Sequence, residues 1–270
     1  MSGKGTLLSP GLSKNSVSVA ASHNSKDIGN VAYFSSIGPT PDGRTKPDVT
    51  APGYLITSAE AQEEGTSLGN CGTTKKAGTS MATPVTAGTA ALVLQYFKDA
   101  KFWAKYCNPV YTLCAKGAFS PKGALIKALL LHSAVPMSTY VAYQSLPLKK
   151  PPDTYQGYGR VDLKQILPLE SYTTNQYALF IDQSTLTSLT ELTYKVKVTS
   201  AAVDLRATIS WMDPPNPEFS ARVLVHDLDL LLVGPDGPNA KTYYGNSDQP
   251  VRDELNNVST INHCTSGLID

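Results

Sequence analysis

Long hydrophobic runs, clustered charge and CxxC cysteine motifs are all missing from this 270-residue sequence. No apolar stretch approaches the roughly 18 residues of a membrane-spanning helix, so the sequence predicts no membrane span. The formal net charge is +1 and the basic residues are scattered, which gives no electrostatic support for a nucleic-acid or acidic-membrane partner. The first residues, MSGK, also lead into no apolar signal-peptide core.

The four cysteines form no CxxC pair with the spacing of a zinc site; they are Cys71, Cys107, Cys114 and Cys264. Cys107 and Cys114 are close enough in sequence to form a disulfide, while four unpaired thiols is the simpler interpretation. Because the pairing stays open, cysteine usage does not identify the cellular compartment.

The first part of the chain reads as mixed α/β. Residues 16–21 and 31–34 predict short strands, and the small apolar residues of 85–97 predict a helix that is buried on every side. Residues 122–133 predict a second helix, with Ser120 as N-cap and a first-turn proline after it. Polar residues 65–76 predict a loop.

The pattern changes near residue 170, where helical periodicity stops and strand alternation begins. Short strands separated by turns are typical of a β-sandwich. The sequence therefore predicts two domains, an α/β domain over 1–170 and an all-β sandwich over 171–270. The predicted strands of the second domain cover residues 194–199, 205–211, 228–233 and 241–244.

Residues 78–84, GTSMATP, carry the strongest chemical signal in the chain. A serine hydroxyl is a weak nucleophile unless a base lies beside it and the surrounding structure holds it in place. Ser80 would stand at the start of a helix, where unpaired backbone N–H groups favour a developing oxyanion. An N-capping serine is the alternative interpretation, and it would be preferred for an isolated Thr-Ser pair.

The seven residues match the GTSMA[ST]P signature, and the chain resembles the subtilisin-like serine proteases. Residues 31–40, VAYFSSIGPT, and 46–53, KPDVTAPG, resemble two further family segments in the expected order. Residues 120–129 and 157–161 resemble its closing helices. The resemblance implies the C-terminal part of a parallel-sheet α/β catalytic domain, with Ser80 as nucleophile of an endopeptidase that acts on peptides or proteins. It also implies a cis Ser9–Pro10 bond, chemistry that needs no cofactor, and a secretory-pathway location.

The family's other catalytic residues have no counterpart in this sequence. In the family the aspartate and histidine precede the serine by well over a hundred residues, and only 79 residues precede Ser80. The family's oxyanion-hole asparagine is also expected upstream. His23 lacks the surrounding His-Gly-Thr motif, His132 lies in an apolar helix that predicts a core role, and His226 and His263 follow the serine. We therefore expect a part of a longer chain, with the N-terminal half of the catalytic domain as its missing partner.

Residues 209–215, 225–230 and 244–246 resemble the jelly-roll domain that follows the catalytic domain of certain alkaline subtilisins. In that family its loops can hold calcium, which makes Asp227 and Asp229 candidate ligands. Alternating acids on an exposed strand face are the competing interpretation. At the level of function, the alternative to a serine endopeptidase is a non-catalytic binding or structural module.

Overall fold

A computed structural model describes most of the chain: residues 5–61, 71–100, 102–103, 117–137, 148, 150–167, 179–188, 190–198, 205–221, 223–235, 240–246 and, as backbone only, 264–269. Its contacts separate into two compact units. Unit 1 comprises Met1–Thr89, Ala134–Asp162 and Pro215–Val225, and unit 2 comprises Ala90–Ser133, Leu163–Pro214 and His226–Asp270. The predicted domain boundary near residue 170 falls outside the described residues and stays a prediction.

Unit 1 is built on a four-stranded sheet in the order β1-β2-β6-β5. Strands β1 (Val19–Ser22) and β2 (Val49–Pro52) run parallel, and β2 also pairs in parallel with β6 (Arg160–Val161). Strand β5 (Ala134–Val135) adds an antiparallel edge. The prediction of a mixed α/β fold with a parallel-sheet region is therefore confirmed.

The outer edge of β1 is covered by the segment that follows it. The Ala32 N–H donates to the Ala21 carbonyl at 2.8 Å, and the Ala21 N–H donates to Ser35 Oγ at 3.1 Å. Of the strand predicted over 31–34, the structure retains one antiparallel bridge between Val31 and Ser22. This cover leaves Ala21 fully buried.

Unit 1 also contains a hairpin that the sequence did not predict. Strand β3 (Ile56–Ala59) pairs antiparallel with β4 (Thr73–Lys76). The loop predicted over 65–76 is therefore wrong at its C-terminal end. The four β4 residues are polar and mostly exposed, so no alternation of apolar and polar residues marked them as a strand.

Lys46 is a buried cation whose charge is met by Asp48. The Lys46 ammonium is 2% exposed, forms an ion pair with the Asp48 carboxylate and donates to the Ser16 carbonyl at 3.1 Å. The carboxylate also accepts the Ser18 N–H at 2.7 Å. Buried charges are stable only when paired and hydrogen-bonded, and this network ties residues 46–48 to the start of β1.

Helix α1 (Thr79–Lys98) is the long helix of the chain, and it ends one residue beyond the predicted end. Its threonines are compatible with a helix because their hydroxyls donate to carbonyls one turn earlier, as Thr86 does to Ala82 at 3.2 Å. The prediction of an all-round buried helix is wrong, because one face of α1 is open to solvent. Val85 is 38% and Leu92 57% exposed, whereas the opposite face is buried through Ala82, Val93, Tyr96 and Phe97.

The core of unit 2 is an aromatic cluster at the C-terminal end of α1. Phe97 lies 4.9 Å from Trp103 and 5.3 Å from Phe119 between ring centroids. Helix α2 (Gly123–His132) contributes Leu129 to the same cluster. The predicted N-cap at Ser120 is wrong, because the helix starts three residues later with Lys122 at the cap position and no side-chain cap bond.

The β-sandwich is not shown by the described residues. Strands β7 (Leu205–Ser210) and β10 (Cys264–Ile269) form one antiparallel ladder, and β8 (Leu231–Val233) and β9 (Thr242–Tyr244) form another. Residues 191–198, which include most of the strand predicted over 194–199, are exposed and join no described ladder. An alternating sequence specifies a strand only where a neighbour supplies hydrogen bonds, and here no described segment does so.

Where placement is described, none of the helices is long and apolar enough to cross a membrane. Cys71 is exposed and forms no disulfide, whereas Cys107 and Cys114 lie outside the described residues. The predicted cis Ser9–Pro10 bond is present.

His132 is expected to make the stability of the chain depend on pH. Its Nδ1 lies 2.8 Å from the Thr208 hydroxyl, and burial of the ring together with the Arg206 charge lowers the pKa of His132 from 6.5 to about 4. Between these two values the unfolded chain binds more protons, so stability is full above pH 6.5 and falls as the pH drops. We expect a loss of about 2 kcal/mol between pH 7 and pH 5.

Urea denaturation at both pH values checks this, with His132→Gln as the comparison. Glutamine can still hydrogen-bond Thr208 but does not titrate. Between pH 7 and pH 5 the variant should therefore lose about 2 kcal/mol less stability than the wild type loses. Equal acid-induced losses in the two proteins would contradict the assignment.

Candidate active site

Ser80 is the second residue of α1 and is exposed to solvent. The turn before it is held by two backbone bonds. The Gly78 N–H donates to the Gly53 carbonyl at 2.8 Å, and the Met81 N–H donates to the Gly78 carbonyl at 3.0 Å. The hydroxyl therefore stands on the first turn of a 20-residue helix, among backbone N–H groups that have no carbonyl partner within the helix. The predicted position at the helix N-terminus is confirmed, and the nucleophile role stays a prediction.

Each of the three described histidines contacts a residue other than Ser80. His23 stacks on Tyr54 with 4.7 Å between ring centroids, and its Nε2 is buried without a hydrogen-bond partner among the described residues. His132 is half-buried, and its Nδ1 contacts the Thr208 hydroxyl. His263 lies outside the described residues. None of the described histidines hydrogen-bonds Ser80, so the part of the chain that the structure describes contains no assembled serine–histidine pair.

Asp213 is a buried carboxylate that sequence reasoning did not single out. It is 2% exposed, accepts the His226 backbone N–H at 2.8 Å, and lies 3.4 Å from His226 Nδ1. The sequence signal was the ISWMDPP segment, which places an aspartate after a strand, but nothing there identified its partner. The pair holds the start of 226–230 against the end of β7, and the His226 ring remains mostly exposed.

The candidate calcium ligands Asp227 and Asp229 are both exposed. No group of three or more His, Cys, Asp or Glu side chains suited to a metal ion occurs in the described ranges. Calcium binding at these aspartates therefore stays a prediction, and the described residues add no further ligands to it.

Two glycines lie at the turn that leads to Ser80, and they differ in how tightly they are packed. A Cβ built on Gly78 would meet ordinary contacts, 3.6 Å from both Met81 Sδ and the Ser80 nitrogen. A Cβ on Gly53 would lie only 2.7 Å from the Gly78 carbonyl oxygen. The close approach is therefore made by the sheet-side residue and not by the glycine of the GTSMATP segment.

Comparison with known proteins identifies relatives over most of the chain. "Serine protease/ABC transporter B family protein tagA" of Dictyostelium discoideum is 30% identical over 255 residues, which is 85% of this chain and 13% of the relative. "Serine protease AprX" of Bacillus subtilis (strain 168) is 41% identical over 105 residues, 35% of this chain and 24% of the relative. The chain thus spans less than a quarter of the length of these relatives.

Among solved structures, "Structure of Patellamide maturation protease PatA" matches 61% of this chain and 44% of its own, with a TM-score of 0.34 and 21% identity, a likeness too weak to support an argument. The sequence profile of the Subtilase family matches residues 2–164. That range contains the GTSMATP segment and both flanking segments that resembled the family, and it covers more than half of the sequence. The chain belongs to the subtilase family.

Proposed function

We propose that this chain carries the nucleophile-bearing part of a serine endopeptidase, with Ser80 as the nucleophile. The observation that carries the proposal is the exposed placement of Ser80 on the first turn of α1, within the GTSMATP segment of a subtilase-family chain. An N-capping serine would stand immediately before the first helical residue. Here the helix begins at Thr79, so Ser80 lies inside it and its hydroxyl is available for chemistry.

The proposed reaction is acyl transfer. The Ser80 oxygen attacks the carbonyl carbon of a peptide bond while a histidine accepts its proton, and the same histidine then protonates the departing amine. Water hydrolyses the resulting acyl-enzyme. Backbone N–H groups at the start of α1 are placed to stabilise the negative charge that develops on the carbonyl oxygen. The chemistry requires no metal or other cofactor.

The histidine and aspartate of this reaction are proposed to come from a further segment of the full-length gene product. Support comes from the described histidines, which are engaged elsewhere, and from the open face of α1. That face exposes Val85 and Leu92, together with Ala87, Gly88 and Ala91. An exposed apolar stripe of small residues is well suited to contact with another packed element, such as the N-terminal half of a catalytic domain.

The substrate class follows from the family as peptides or proteins. The competing function is a non-catalytic binding or structural module. It would not require the hydroxyl of Ser80, whereas the endopeptidase requires it absolutely. The identity of that one oxygen therefore separates the two functions.

Replacing Ser80 by alanine in the full-length gene product tests the proposal. We expect kcat for a peptide substrate to fall on the order of a million-fold, because loss of the nucleophile removes the acylation step. Ser58→Ala serves as the matched control, since Ser58 is also exposed but lies on β3. Peptidase activity that survives Ser80→Ala would refute the proposal, as would a full-length wild type with no activity on a panel of peptides.

A further inference from the structure

We infer that Gly53 is a positioning residue for Ser80: its carbonyl and its missing side chain together set where the first turn of α1 stands on the sheet. The inference rests on the proposed function, because it concerns the placement of the proposed nucleophile. Gly53 acts on Ser80 through the turn at Gly78 and not by contact with the substrate.

Gly53 is fixed to the sheet immediately after β2. Its N–H donates to the Ser22 carbonyl at 2.9 Å, and the Tyr54 N–H donates to the same carbonyl at 3.1 Å. Ser22 is the last residue of β1 and is fully buried. Since β1 and β2 are parallel, their C-terminal ends lie side by side. Gly53 follows β2 directly, so its position is fixed by the sheet.

From this fixed point Gly53 holds the turn that leads into the helix. Its carbonyl accepts the Gly78 N–H at 2.8 Å, and the Gly78 carbonyl in turn accepts the Met81 N–H at 3.0 Å. A short chain of backbone bonds therefore runs from the end of β1 through Gly53 to the turn that contains Ser80. Backbone bonds of this kind leave the donor few alternative positions.

The absence of a side chain at Gly53 is needed for this contact. A Cβ at residue 53 would lie 2.7 Å from the Ala21 Cβ, 2.7 Å from the Gly78 carbonyl oxygen and 3.2 Å from the Ala82 Cβ. Ala21 and Ala82 are both 0% exposed, and their methyl groups are part of one packed cluster with Ala32 and Ala51. A methyl group added at residue 53 must displace one of these neighbours. We expect the turn at Gly78 to move and the sheet to stay in place, because the turn is less buried.

The test measures the kinetics of Gly53→Ala in the full-length gene product. Misplacement of a reacting group by about 1 Å can lower the rate about 100-fold, so we expect kcat to fall by about that factor. KM should stay within about threefold, because substrate binding does not use the Ser80 oxygen. Gly123→Ala is the matched control: a Cβ at residue 123 meets nothing within 4 Å, so both constants should be unchanged.

A second readout does not depend on activity. In the 270-residue chain, Gly53→Ala should accelerate amide hydrogen exchange at Gly78 and Met81, while exchange in β2 stays as in the wild type. Gly78→Ala, which has room for its methyl group, should leave the exchange of Met81 unchanged. Accelerated exchange throughout β1 and β2 would show general loss of packing and would contradict a positioning role.

A rescue variant covers the case in which Gly53→Ala folds poorly. Ala21→Gly removes the methyl group that the new Cβ at residue 53 would clash with on the sheet side, so residue 53 can shift toward the sheet. The double variant Ala21→Gly/Gly53→Ala should therefore have a kcat at least about tenfold higher than that of Gly53→Ala alone. A purely structural defect would instead be worsened by the second substitution, because it removes a buried methyl group.

The outcomes separate the two claims. If Ser80→Ala abolishes activity but Gly53→Ala matches the wild type, the positioning inference is wrong and the proposed function stands. A double variant that is as slow as Gly53→Ala, or slower, also overturns the inference. If Ser80→Ala retains activity, the proposed function itself fails, and the inference fails with it.

Discussion

The 270-residue chain by itself is expected to hydrolyse peptides on the order of a million-fold more slowly than the full-length gene product. The reason is that none of the described histidines hydrogen-bonds Ser80: His23 stacks on Tyr54, His132 contacts Thr208, and His226 lies beside Asp213. A serine hydroxyl without a base is a poor nucleophile at neutral pH, and loss of the histidine from such a triad costs about as much as loss of the whole triad.

Labelling with a fluorophosphonate checks this expectation without a choice of substrate. The isolated chain should react no faster than its own Ser80→Ala variant over hours. The full-length product, run in parallel, supplies the positive control. Stoichiometric labelling of Ser80 in the isolated chain within minutes would mean that it contains its own base, with His263 as the first residue to examine.

Replacing Lys46 by methionine should lower the free energy of unfolding by about 3–5 kcal/mol. Methionine fills a similar volume, but it removes the ammonium group that pairs with the buried Asp48 carboxylate and donates to the Ser16 carbonyl. A buried, unpaired charge is among the most destabilising features that a single substitution can create.

Urea denaturation of the 270-residue chain measures this effect, with Lys26→Met as the matched control because Lys26 is exposed. The control should change stability by less than about 0.5 kcal/mol. Lys46→Met/Asp48→Asn removes both charges and should recover at least half of the loss. A Lys46→Met protein as stable as the wild type, or a double variant no better than the single one, would contradict the buried-pair explanation.

Local sequence was sufficient for features that are set by neighbouring residues. The start of α1 followed from the GTSMATP segment, and the end of the helix was predicted to within one residue. The extent of α2 over Gly123–His132 followed from its apolar periodicity, although its cap did not. In each case the determining interactions lie within one or two helical turns, so they can be read along the chain.

Features that depend on a partner could not be predicted in this way. The segment 85–97 is mostly small and apolar, yet Val85 and Leu92 are exposed, because burial depends on which element packs against the helix. For the same reason the alternation in 191–198 did not become a strand among the described residues. The hydrophobic pattern of a segment indicates which of its faces could be buried, but it does not show whether another element packs against that face.

By itself the sequence determined the family, the α/β character of the first part and the residue proposed as nucleophile. Only the tertiary structure decided that the close approach to that residue is made by Gly53, that Asp213 meets His226, and that the buried Lys46 ammonium meets the Ser16 carbonyl. The physical reason is range. A motif fixes the types of residue and their local conformation, whereas a contact such as that between Gly53 and Gly78 depends on how strands and turns distant in sequence are brought together by the sheet.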